Sequence, residues 1–387
     1  MKEVLLIGSS YSSLQLLRML KQMNLKVTVV GNLKNDPCHR FSDESIYLDY
    51  SNLVNTKKIN HSKYDYLVPS FNDCAYLFAS KLKERKKFPG VDNFSLAQTI
   101  HKKDKFKELL LKSNINTHKY KLFRLNEIES IKNYVSLPAI IKPIDSHSGI
   151  GCIKINDAEQ LKKFAKGQKK RDNRVFLIEE FIHGTLHSHS AFVKNQNIET
   201  DFFVDEFTTV YPFQVNCSHT PTSLSVKKQN KVRRVINILL KNNKFENGLF
   251  HTQVIFKKDE LFIIESMRRG PGDLYNILIE KSRNFNYTKN YLLPFIGRKF
   301  ELHKSSKFKF IGRFSLTNKQ KKTLNSITLS TKFKKVEFFP LKKTGCEVLS
   351  APLDKIGIFF AEYSSQSEMQ KINPKITNLI FSNEYKF

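Results

Sequence analysis

Two short alternating segments of the chain, 248–256 and 261–265, are joined by a tight polar turn and carry Gln253 and Glu265. If both side chains face one way, their oxygens can share a Mg²⁺, which takes hard oxygen ligands together with phosphate oxygens. Arg268 and Arg269 follow at once, and a guanidinium grips a phosphate or a carboxylate through paired hydrogen bonds. A lone glutamate beside arginines reads equally as a structural ion pair. A second group lies at 138–155, where an apolar strand carries Lys142. A loop of small residues follows, with Ser146, Ser148, Gly149 and Gly151, and then another alternating strand. Such a lysine can place a point charge on a phosphate, and bare backbone N–H groups suit its oxygens. No GKS or GKT follows the glycines, so this is not a Walker A loop, and taken alone it is also an ordinary hairpin with a surface lysine. A third group, VFLIEEFI at 175–182, ends in Glu179 and Glu180 followed by Phe181 and Ile182. Backbone groups after the paired acids can meet an adenine edge, with Phe181 and Ile182 as apolar walls.

These groups need elements to hold them. Residues 3–7, a turn at Gly8, a helix over 11–23 and a strand over 25–30 form a βαβ opening. A strand at 66–68 and a helix at 75–83 extend it into a small parallel α/β domain over 1–95. Gly8 alone is too little for a dinucleotide fingerprint and is expected to make a tight turn. Helices are expected at 101–112, 127–135, 229–241 and 365–372, with further alternating segments at 189–193 and 201–207. Beyond 300 the chain is basic and strand-rich. The 387 residues exceed a ~150-residue domain prior more than twofold, so two domains or three joined subdomains are expected. Hydrophobic residues at 40% and charged residues at 26% exclude wholesale disorder. No apolar run reaches the ~18 residues of a membrane span, and the first segment is too short for a signal peptide. Five scattered cysteines without a CxxC pair fit reduced thiols in a cytoplasmic protein.

The order of the three groups, with Asp104-Lys105-Phe106 at a helix start, resembles the ATP-grasp superfamily over about residues 1–300. The pieces that carry the resemblance are that helix start, PAIIKPIDSHSGIG at 138–151, EEFIHG at 179–184, and Gln253 with Glu265 to Arg269. It implies an α/β plus α+β fold. A Rossmann-like domain over 1–95 would be followed by an ATP-grasp core over 96–300, divided near 178, and a basic β-rich subdomain over 301–387. It also implies an ATP-dependent, ADP-forming ligase. A carboxylate would be phosphorylated to an acyl phosphate, which an amine or a thiol then attacks. Lys105 and Lys142 would contact ATP phosphates, and the loop with Ser146, Ser148, Gly149 and Gly151 would fold over them. Glu179, Glu180, Phe181 and Ile182 would bind adenine. Gln253 and Glu265 would hold Mg²⁺, and Arg269, with Arg268, would meet the transferring phosphate or the carboxylate. Gln in place of the family's usual Glu at the first metal position is similar to the carbamoyl phosphate synthetase branch. Met267 stands where the family has Asn, and a thioether is a poor Mg²⁺ ligand. The usual acidic ribose contact is absent after the hinge, where His187 and Ser188 stand.

Two other function classes bear on the same residues. Met267 and the missing ribose acid also suit a degenerate ATP-grasp scaffold that binds a nucleotide or a partner without catalysis. The formal charge of +29 suits a polyanion-binding protein, yet the basic residues are spread along the chain without a nucleic-acid motif, so weak salt-sensitive binding is expected. His183, His187 and His189 lack the thiolate or spaced carboxylate that would complete a zinc set. Asp273 could receive a substrate amine or cap the helix that follows it. Small carboxylate and amine substrates, amino acids among them, are the expected partners. The last ~85 residues are expected to complete the core or a homodimer surface.

Overall fold

The computed structural model describes residues 1–131, 134, 136–144, 149–167, 174–302 and 308–385. The opening pattern folds as its apolar runs require. β1 (Glu3–Ile7), β2 (Lys26–Gly31), β3 (Glu44–Tyr47) and β4 (Tyr66–Pro69) form a parallel sheet in the order β3-β2-β1-β4. Val4 to Ile7 are all buried, as expected of a parallel sheet covered on both faces. Gly8 leaves β1 at φ +116°, and a Cβ there would lie 2.0 Å from Ser70 Oγ, so the tight turn requires glycine. The helices Asp73–Lys83 and Phe94–His101 each begin at an asparagine, Asn72 and Asn93, whose side chain accepts a backbone N–H of the first turn.

A small antiparallel sheet follows. β5 (Tyr120–Phe123), β6 (Ala139–Pro143), β7 (Ile153–Ile155) and β8 (Phe176–Glu180) lie in the order β5-β8-β6-β7. The helix Ala158–Gly167 buries Leu161 and Phe164 in the same cluster as Ile141, Phe176 and Ile178. Of the helix expected at 127–135, the turn Ile128–Ile131 is observed, and part of the remainder lies outside the described residues.

The large sheet begins with β9 (Thr185–Lys194), β10 (Asn197–Phe207), β11 (Cys217–Thr220), β12 (Gly248–Lys257) and β13 (Glu260–Met267). The C-terminal part supplies β14 (Phe310–Leu316), β15 (Lys322–Leu329), β16 (Lys335–Pro340), β17 (Glu347–Val348), β18 (Gly357–Tyr363) and β19 (Ile380–Glu384). The sheet runs β13-β12-β9-β10-β11-β14-β18-β16, and β17-β15-β19 form a separate small sheet. The C-terminal strands, expected as a subdomain over 301–387 that completes the core or a dimer surface, are divided between these two sheets. Three of them extend the central sheet, because β14 pairs with β11 from Cys217↔Phe314 to Thr220↔Ile311. The boundary near 95 is not a break in the core. Leu274, Tyr275 and Leu278 share one apolar cluster with Val4, Leu6 and Phe78.

One buried ion pair joins these layers. Arg268, at the end of β13, is 1% exposed. Its Nε donates to Asp92 at 2.7 Å, and its terminal nitrogens donate to the carbonyls of Leu249 and Glu246, each at 2.5 Å. Asp92 also accepts from Tyr76 Oη and from the Glu246 N–H, both at 2.7 Å. Removing one partner of such a pair leaves an uncompensated buried charge. Asp92→Asn should therefore destabilise the protein by about 3–5 kcal/mol in urea unfolding, and an unchanged transition midpoint would contradict this account.

Candidate active site

A cavity of about 410 Å³ lies between the small sheet and the large one, lined by Lys142, Glu179 to Ile182, Gln253, Glu265 and Arg269 among others. At its small-sheet end, Glu179 is 2% exposed and three basic side chains converge on it. Lys107 Nζ lies 3.1 Å from its carboxylate, His118 Nε2 lies 2.5 Å away, and Lys142 also donates to it. Burial alone would raise the Glu179 pKa, but Lys107 and Lys142 hold it well below the usual carboxylate range. One carboxylate cannot satisfy two ammonium groups fully. Lys107 bears the cost: burial, with Lys142 adding repulsion against Glu179's attraction, pushes it down to about 8. Burial likewise lowers the His118 pKa. The cluster thus holds more positive than negative charge out of water, an arrangement completed by an anion.

The helix lysine that reaches this cluster is Lys107 and not Lys105. Lys105 is half-buried on the helix Lys103–Lys112 and does not line the cavity. Lys107 is 3% exposed, and Lys103, one turn earlier on the same face, lines the cavity as well. The signal was available in the sequence, because Lys107 falls between Phe106 and Leu110 in the apolar stripe.

The walls follow the hinge. Ile140, Phe181, Ile182, Leu186 and Ile255 supply apolar surface, and the Phe181 N–H is already donated to the Pro138 carbonyl at 2.9 Å. Gly149 and Gly151 both sit at φ +74°. A Cβ on Gly149 would come within 2.3 Å of the Phe213 carbonyl oxygen, so glycine lets this loop close against the 211–213 segment. Gly149 lines the cavity, and Gly151 does not. Ser146 and Ser148 lie outside the described residues.

At the other end, Gln253 and Glu265 are direct cross-strand partners and both line the cavity. The strand register shifts between Gln253 and Val254, the kind of irregularity that re-aims a side chain beside a site. Gln253 Nε2 donates to Glu206 Oε2 at 2.8 Å. Glu206, on β10, was not anticipated from the sequence. It is 4% exposed, and burial raises its pKa. Met267 is buried and also faces the cavity.

The two adjacent arginines part company. Arg268 is held by Asp92 away from the cavity, so it does not occupy the position expected of a catalytic cation. Arg269 lines the cavity and is held by both oxygens of Asp73, from Nε at 2.9 Å and from Nη2 at 2.7 Å. His101 Nδ1 lies 2.6 Å from the same Asp73. A second cavity, of about 470 Å³, opens toward Asp49, Tyr50 and Asn72 and shares Lys103, Glu265 and Arg269 with the first.

His187 and Ser188 do not line the cavity. His187 Nδ1 lies 2.8 Å from Asp205, and Ser188 Oγ lies 2.9 Å from Tyr275 Oη. His189 is engaged with Asp201 at 2.8 Å. Asp273 does not cap by its side chain. It sits at φ +56° and accepts from Lys355, Tyr11 and Ser315. Lys355, from the C-terminal part, lines the cavity with it.

Residues 135–274 match the family described as ATP-grasp domain. The formate-dependent phosphoribosylglycinamide formyltransferase of Prochlorococcus marinus subsp. pastoris is 25% identical over 303 residues, which span 76% of this chain and 76% of that protein. Among solved structures, the L-amino acid ligase from Bacillus licheniformis superposes with a TM-score of 0.82 at 16% identity, covering 100% of this chain and 99% of that one. N5-carboxyaminoimidazole synthetase from Staphylococcus aureus, complexed with ADP, superposes with a TM-score of 0.74 at 14% identity, covering 96% and 95%. With a hinge, a lysine cluster and a Gln/Glu strand pair closing one cleft between two sheets, and with these likenesses, residues 135–274 are an ATP-grasp domain.

Proposed function

We propose that the protein is an ATP-dependent, ADP-forming ligase that joins a carboxylate to an amine through an acyl phosphate. The observation that carries the reading is the pair of lysines, buried Lys107 and half-buried Lys142, sharing the single carboxylate of Glu179 at one end of the cleft. Their surplus charge suits a nucleotide's phosphates, and the apolar hinge at Phe181 and Ile182 suits its base. Gln253 and Glu265 offer facing oxygen donors that would hold Mg²⁺ between them and the phosphates. Bound there, the ion would neutralise charge spreading over the transferring phosphoryl group.

The remaining work falls to side chains of this chain. Arg269, fixed by two hydrogen bonds to Asp73, presents a pre-set guanidinium where the two cavities meet. It orients the substrate carboxylate for in-line attack and meets the charge that develops on the phosphoryl oxygens, with no reorganisation at the moment of reaction. The 470 Å³ cavity, which shares Glu265 and Arg269 with the cleft, has room for the carboxylate substrate. Gly149, packed against the Phe213 carbonyl, forms part of the wall that keeps water from the acyl phosphate.

Titration calorimetry with Mg²⁺ and a non-hydrolysable ATP analogue should give one-to-one binding that survives high salt, and no binding at either salt would defeat the reading. Lys107→Met and Lys142→Met should each raise the dissociation constant about tenfold or more. Each leaves Glu179 a lysine partner, so the fold is retained, whereas Lys105→Met should change it less than threefold. A lysine that holds phosphate must be protonated. Below pH 8 Lys107 already is, and above about 8 binding must take up a proton. Nucleotide affinity should therefore be flat from pH 6.5 to 7.5 and fall as pH rises through 8, by up to about tenfold per unit. A flat profile to pH 9.5 would remove Lys107 from the phosphate site.

A further inference from the structure

Two opposite charges in the same cleft are buried without pairing with each other. Glu206 on β10 stands opposite Ser218 on β11, and Ser218 stands opposite Arg313 on β14. The three residues form one row across three adjacent strands. With strands about 4.8 Å apart, the outer two backbones are about 10 Å apart, and both side chains line the cavity. Arg313 is 3% exposed. Its Nη1 donates to the carbonyls of Gly272 at 3.3 Å and Asp273 at 3.1 Å, and its Nη2 donates to Ser218 Oγ at 2.8 Å. Its Nε finds no hydrogen-bond partner among the described residues. Glu206 accepts from the uncharged amide of Gln253. The neighbouring charges are already matched: Lys355 lies 2.5 Å from Asp273, and together with Arg313 it holds the Asp273 pKa at about 2 against the effect of burial. A buried anion and a buried cation with an unused donor, set in one row and kept apart, are complementary to a molecule carrying both opposite charges close together.

We propose that this row is the acceptor subsite for an α-amino acid, with Glu206 taking the ammonium group and Arg313 the carboxylate. The proposal rests on the ligase reading and names its amine substrate. Glu206 touches Gln253, the cross-strand partner of Glu265, so the amine end lies toward the phosphoryl-transfer site and the amino acid's carboxylate lies away from it. The ammonium, oriented by its hydrogen bond to Glu206, gives one proton to water, and the freed nitrogen lone pair attacks the acyl phosphate carbon. The C–N bond forms, the C–O bond to phosphate breaks with its electron pair going to phosphate, and the second nitrogen proton leaves on that phosphate. A simple amine would leave the Arg313 Nε unmatched, and a phosphate ester would set a dianion beside Glu206 and Asp273.

The test is titration of the full chain, saturated with Mg²⁺ and AMP-PNP, with each proteinogenic L-amino acid. Each ligand that binds is then compared with its decarboxylated amine and its deaminated acid, and inorganic phosphate is titrated in parallel. At least one amino acid should bind, and each truncated counterpart should bind about tenfold more weakly or worse. Glu206→Gln and Arg313→Lys should each weaken that amino acid about tenfold, and for Arg313→Lys, which does not touch Gln253 or Glu265, AMP-PNP affinity, which also reports folding, stays within threefold. The subsite is overturned, with the ligase reading left standing, if AMP-PNP binds but no amino acid does. It is likewise overturned if the decarboxylated amine binds as well as the amino acid, or if phosphate binds more tightly than any amino acid. Failure of AMP-PNP itself to bind overturns both readings.

Discussion

The contact between Arg268 and Asp92 sets the frame for everything around the cleft. A guanidinium buried to this degree must have every strong donor direction met, and here a carboxylate from the loop before the helix Phe94–His101 and two carbonyls near the start of β12 meet them. The end of β13 is thereby fixed against the N-terminal layer. Because the next residue turns the other way, the same anchor delivers Arg269 to the cleft, where Asp73 holds it in plane. Two neighbouring arginines of the same chemical type divide into a rivet and a group that lines the cleft, and their surroundings make the division.

That division marks the limit of what the residues alone could say. The strand pair carrying Gln253 and Glu265, the strand carrying Lys142, the hinge at Phe181 and Ile182 and the parallel opening domain were all legible, because each rests on short-range periodicity and a local turn. Arg268 was not, since nothing local tells a buried arginine from a reaching one. Lys107 was displaced by Lys105 for a similar reason. A matching motif pointed two residues early, whereas the apolar stripe on the helix holds the buried lysine. Glu206 and Arg313 fall into one row only because β11 lies between their strands, and strand order across a gap of some hundred residues in sequence is invisible to periodicity. The C-terminal strands read as a separate basic unit for the same reason, and the structure places three of them in the main sheet.

Charge is managed here by unequal sharing more than by pairing. With 65 Lys and Arg against 36 Asp and Glu, carboxylates are scarce, and the buried ones serve several partners at once. Glu179 serves two lysines and a histidine, Asp73 serves Arg269 and His101, and Asp205 lies between His187 and His219. A surplus of cations around one acid is costly in a folded protein unless an anion completes it, so the scarcity that looks like a surface property also shapes the cleft.

The insertion of β14 between β11 and β18 has a consequence for how the molecule comes into being. β11 ends at Thr220, and its second neighbour does not begin until Phe310. During synthesis the growing sheet therefore carries an open edge at β11 while roughly ninety further residues emerge, at about 5–20 residues per second. Closing that edge needs a long-range pairing of the slow kind. Arg313 arrives only with it and Lys355 later still, just before β18, so the nascent protein can assemble its hinge and lysine cluster well before the cleft acquires its full complement of charges.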